Sequence, residues 1–185
     1  MQKKPNSASG TSAAAPALAL DSSPENVLGQ ADTPDKFCTA LARLFGVRVT
    51  EVALLRLEKG LLRFLLPEQL KTAGSIPVSS SSAVAAHTAS TRKTELFNSF
   101  VKVKHASIFE TVKLSTTEEG AQPEQGTIQK LMSAPILDAH RKVLGVIQVS
   151  RKGYDLATCG PDFTLDDLQQ LEVAAKIACN LPFMK

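Results

Sequence analysis

Two apolar runs dominate the second half of the chain. Leu131-Met132-Ser133-Ala134-Pro135-Ile136-Leu137-Asp138 and Val143-Leu144-Gly145-Val146-Ile147-Gln148-Val149-Ser150-Arg151 flank a polar connection, residues 139–142, and that pattern predicts a β-hairpin. Neither run alternates cleanly. Ile136 and Leu137 point to opposite faces of one strand, and Val146 and Ile147 to opposite faces of the other, so both sides of the sheet need shielding from water. The hairpin is therefore read as the middle of a covered sheet.

Upstream, Thr33-Pro34-Asp35 predicts a helix start: an N-cap hydroxyl, a proline suited to the first helical position and an acid at the positive dipole end. Phe37, Leu41, Leu44 and Phe45 follow at helical spacing, and Gly46 closes the helix. Residues 51–58 and 61–66 predict a second hairpin around Lys59-Gly60, and Ile76-Pro77-Val78 a short edge strand, because proline cannot donate to a ladder. The serines at 79–82 are expected to cap a helix over residues 83–88, and residues 94–98 form a brief strand. Residues 101–114 read as strand end, loop and helix, and residues 115–129 as a polar lid. Thr164 with Asp167 is an acidic capping box for a last helix carrying Leu168, Leu171, Ala175 and Ala178 on one face.

Composition sets the outer limits. Residues 1–32 are rich in Ser, Ala and Pro with few large apolar side chains, so they are expected to form a disordered tail ahead of one domain over residues 33–185. A net charge of +3 among nearly balanced acids and bases gives no case for nucleic acid as a partner. No apolar run approaches the roughly 18 residues of a membrane span, so no membrane partner is expected. Cys38, Cys159 and Cys179 are odd in number and lack a C-x-x-C pair, which argues against a zinc site or disulfide framework and for a reducing, cytoplasmic location. Cys38 and Cys179 lie on apolar helix stretches and read as core; Cys159, in a loop, is expected to be the exposed thiol.

The Met132-to-Leu137 run with its proline, its glycine-bearing partner from Leu144 to Val149, and Phe163-Thr164-Leu165-Asp166-Asp167-Leu168 resemble the closing third of a GAF domain, and the order of elements from 33 to 181 resembles that family throughout. The resemblance implies an α+β fold: a mainly antiparallel six-stranded sheet, terminal helices on one face, and helices and loops enclosing a small-molecule pocket on the other. It also implies a stand-alone sensory module in signal transduction. Departures limit the transfer. The Asn-Lys-x-Phe-Asp-Glu type pattern of cyclic-nucleotide GAF domains is absent, no Cys-His pair suits a bilin, and no cysteine lies in the central region where free methionine-R-sulfoxide reductases carry theirs.

Polar groups gather in the middle of the chain. A helix N-terminus at the serine run favours an anion, and nearby cations could neutralise one. Ser81, Ser82, Arg92, Asn98, Lys102 and His105 are accordingly the expected contacts of a small anionic metabolite, while His87 reads as structural. The spacing assembles no catalytic, metal-ligand or phosphate-loop constellation, and no cofactor is named by it. A sensory module, a pocket-less dimerising scaffold and a small enzyme of the methionine sulfoxide reductase type all remain open. The amphipathic first and last helices predict a homodimer.

Overall fold

The computed structural model describes residues 23–72, 74–100 and 126–185. Six antiparallel strands form one sheet in the order β3-β2-β1-β6-β5-β4: β1 (Val52–Glu58), β2 (Leu61–Leu66), β3 (Ser75–Pro77), β4 (Glu95–Phe97), β5 (Thr127–Leu137) and β6 (Val143–Gly153). The long hairpin β5–β6 is flanked by β1 on one side and β4 on the other. Its register sets Ser133 opposite Gln148, Pro135 opposite Val146 and Ile136 opposite Gly145. That places the hairpin where its non-alternating apolar runs require it.

Helices cover both faces. Helices α1 (Pro24–Gly29), α2 (Pro34–Phe45) and α4 (Leu165–Ala178) lie over one face, where Phe37, Leu41 and Leu171 meet Leu54, Met132, Ile136 and Ile147. Helix α3 (Val84–Thr91) lies over the other, where Val84, Ala85 and Ala89 meet Leu55, Leu62, Leu131 and Val146. Local chemistry sets the ends of α2 and α4. Thr33 Oγ1 accepts the Lys36 N–H at 3.3 Å and Gly46 takes φ +59° at the other end of α2. In α4, Thr164 Oγ1 accepts the Asp167 N–H at 3.1 Å while Asp167 Oδ2 accepts the Thr164 N–H at 2.7 Å.

Pro135 and Gly145 explain themselves in this topology. Strand β4 pairs with Leu131, Met132 and Ser133, so Pro135 lies beyond its end and breaks no ladder bond on that side of β5. A Cβ on Gly145 would run into the Leu55 carbonyl on β1 and the Met184 side chain. Both residues shape the sheet.

Three expectations need correction. Residues 24–29, assigned to the tail, form α1, whose Leu28 is 2% exposed against α2 and α4; a single large apolar residue with Ala31 anchors the segment. Of the expected lid, residues 127–129 belong to β5, because Ile128 and Gln129 are buried; residues 101–125 lie outside the described residues. Cys159 is buried, packed against the Cα of Gly153, whereas Cys179 is only partly buried near the end of α4.

Candidate functional site

Helix α3 carries the candidate site, and its start differs from expectation. No serine caps it. Ala83 is the N-cap and has no side-chain acceptor for the first-turn N–H groups, while the Ser80 and Ser82 hydroxyls lie 3.1 Å apart and bond each other. The serines end the β3 turn one residue too early to reach the capping position. At this N-cap the positive end of the helix therefore has no capping bond from the Ala83 side chain.

Along its buried face, α3 is tied to the sheet through polar groups. Thr88 Oγ1 lies 2.8 Å from Ser133 Oγ and 3.0 Å from Glu95 Oε2, Gln148 Nε2 lies 3.3 Å from Ser133 Oγ, and His87 Nδ1 lies 3.0 Å from Glu95 Oε1. A carboxylate only accepts, so Thr88 and His87 Nδ1 donate to Glu95. The Thr88 hydroxyl proton is shared between Glu95 Oε2 and Ser133 Oγ, and Gln148 Nε2 donates to Ser133 Oγ as well. The chain runs from the central strands to the helix surface. Thr88, Ser133 and Gln148 are all buried, and a buried polar row is tolerated only when bonded through, as here.

The expected contacts are not brought together. Ser81 and Ser82 stand before the first turn of α3, and Arg92 is its C-cap at φ +57°, about 12 Å away along the helix axis. Asn98 is spent on the backbone of Phe163, with Nδ2 donating to the carbonyl oxygen and Oδ1 accepting the N–H, both at 2.9 Å. Lys102 and His105 lie outside the described residues. His87, read as structural, is paired with Glu95 at the helix surface.

Sequence reasoning missed Thr88, Ser133 and Gln148. A signal existed for two of them: Ser133 and Gln148 interrupt the two apolar runs, and the hairpin register makes them direct cross-strand partners. Among the described residues no group of three His, Cys, Asp or Glu side chains is placed to hold a metal ion, and no helix is long and apolar enough to cross a membrane. Burial pushes the Cys38 thiol up to about 12, with the Asp35 carboxylate adding to the effect, so this cysteine is held as a neutral core residue.

Comparison with solved structures places this architecture. The chain is similar to the GAF domain of an Acinetobacter phosphoenolpyruvate-protein phosphotransferase, at 12% identity and a TM-score of 0.59 over 84% of this chain and 86% of that one. It is similar to the GAF domain of a two-component sensor histidine kinase from Bacillus halodurans, at 17% identity and a TM-score of 0.54 over 80% and 92%. A putative GAF sensor protein from Burkholderia vietnamiensis matches at 12% identity and a TM-score of 0.54 over 86% and 89%. No curated protein sequence matches the chain. The GAF domain family model matches residues 33–180, which span α2 through α4 and every strand of the sheet, and the chain is therefore a member of the GAF domain family.

Proposed function

We propose that this chain is a sensory module that binds a small anionic ligand at the N-terminal end of α3, beside Ser81 and Ser82, rather than an enzyme. One observation carries the reading: α3 begins at an N-cap without a side-chain acceptor although serines immediately precede it. The positive end of a helix favours negative charge, and a hydroxyl-bearing turn beside it adds donors. The polar row through Thr88 and Ser133 then fixes that helix on the sheet, so the site sits on a rigid base. Lys102 and His105 stay with the proposal as further contacts; Arg92 and Asn98 leave it on the geometry above.

Native mass spectrometry of freshly purified protein, followed by a thermal-shift screen of nucleotides, amino acids and 2-oxo acids, tests this reading. A ligand at one hundred times its dissociation constant stabilises the fold by about 2.7 kcal/mol, well within detection. Ser82→Asp puts a like charge beside the site on an exposed residue and should abolish the shift. For an amino acid or 2-oxo acid hit, Arg92→Ala should leave it nearly unchanged. The reverse pattern would remove the proposal.

A dimerising scaffold is the second reading. Val27 on α1 and Leu165 on α4 are 46% and 74% exposed on the same helical layer, an arrangement suited to C2 pairing of two copies. Light scattering on wild type and Leu165→Glu decides it: a monomer in both would end this reading.

A further inference from the structure

At the opposite end of α3 the described residues concentrate more positive than negative charge. A hollow of about 610 Å³ opens beside β5 where β4 has ended, walled among the described residues by Arg92, Lys93, Arg141 and Lys176 against two carboxylates, Asp138 and Glu172. Asp138 is already engaged, its Oδ1 accepting the N–H groups of His140 and Lys142 at 2.8 Å each. A second hollow of about 400 Å³ shares Arg92 and Arg141 on its wall and adds Lys142. None of these lysines and arginines forms an ion pair among the described residues.

Helix dipoles explain part of this. Arg92 caps the C-terminus of α3 and Lys176 lies in the last turn of α4, each favourable where it stands. They do not explain Arg141, which comes from the β5–β6 turn and lines the same two hollows. Arg92 and Arg141 stand on backbones at φ +57° and +61°, one in a helix cap and one in a hairpin turn, so two guanidinium groups start from unrelated fixed points around one space.

We propose that this hollow is a second site, separate from the N-terminal end of α3, and that it takes a small phosphate-bearing ligand with two or more negative charges. A monocarboxylate needs one guanidinium fork; a phosphate ester offers the oxygens and charge to engage two. The hollow has the volume of a small-ligand site. An added peptide strand is the poorer fit, because Pro135 offers no N–H donor on the strand that borders the hollow.

Inorganic pyrophosphate is the probe, titrated calorimetrically into the whole chain at physiological ionic strength. Saturable binding of one pyrophosphate per chain is expected. Arg92→Lys with Arg141→Lys keeps the charge and removes both forks, and should weaken binding at least about tenfold with an unchanged melting temperature. The single variants serve if the pair fails to fold. Absence of saturable binding, equal binding by the lysine variants, or a hexaglutamate peptide binding as tightly as pyrophosphate would each overturn the proposal, the last by making the surface a docking site for acidic protein segments.

Discussion

Asn98 brackets the peptide of Phe163, giving one hydrogen bond and receiving another, both at 2.9 Å. Phe163 is the residue just before the α4 N-cap; its ring is 3% exposed in the core, with the Arg151 guanidinium 4.7 Å above it. The pair therefore ties the end of β4 to the start of the last helix. Asn98→Ala removes both bonds and should cost about 2 to 3 kcal/mol, measured by urea unfolding, with no specific loss of ligand affinity. Unchanged stability would return Asn98 to the ligand.

Acid stability should depend on Glu51. Burial pushes this carboxyl up, but hydrogen bonds from the Arg48 side chain and from the Arg48 and Lys152 backbone N–H groups outweigh it and hold the carboxyl below its ordinary 4.5. A depressed carboxylate stabilises the fold above its unfolded value, and that contribution disappears as pH falls through the folded one. Glu51→Gln should lower stability at pH 7 by about 1 to 2 kcal/mol and flatten the decline in urea midpoint below about pH 4.5. A decline as steep as that of wild type would refute the assignment.

Gly145→Ala should be among the most damaging small substitutions. The new methyl meets the Leu55 carbonyl across the β1–β6 ladder, where backbone, not a pliable side chain, has to move. A loss of about 2 to 3 kcal/mol, or failure to accumulate soluble protein, is expected from thermal unfolding. A melting temperature within a degree of wild type would contradict the packing described.

Thiol labelling of the native protein should report Cys179 first. Cys38 is buried with its thiol pushed up to about 12, and Cys159 is buried, whereas Cys179 is partly exposed. Mass spectrometry after brief treatment with a maleimide should find one label per chain on Cys179. Faster labelling at Cys159 would show that its loop opens more readily than its packing against Gly153 implies.

Much of the fold is legible from local patterns because it rests on local physics. Thr33, Gly46, Thr164 and Asp167 act through bonds to residues three or four positions away, so sequence spacing is enough to place them. The doubly apolar hairpin also declares its own burial, since water-facing strands need alternation. Helix α1 escaped notice because Leu28 and Ala31 gain their value only against α2 and α4, which composition does not see.

The candidate site lies on the other side of that division. The sequence by itself determined the family resemblance, the covered hairpin and the helix that bears the site, each from residues close together in the chain. Tertiary structure alone decided that Thr88 meets Ser133 across 45 residues, that Asn98 turns to Phe163 across 65, and that Arg92 and Arg141 share one hollow. Those pairings follow from strand order and register, which depend on how long-range surfaces pack, and no window of the chain contains both partners.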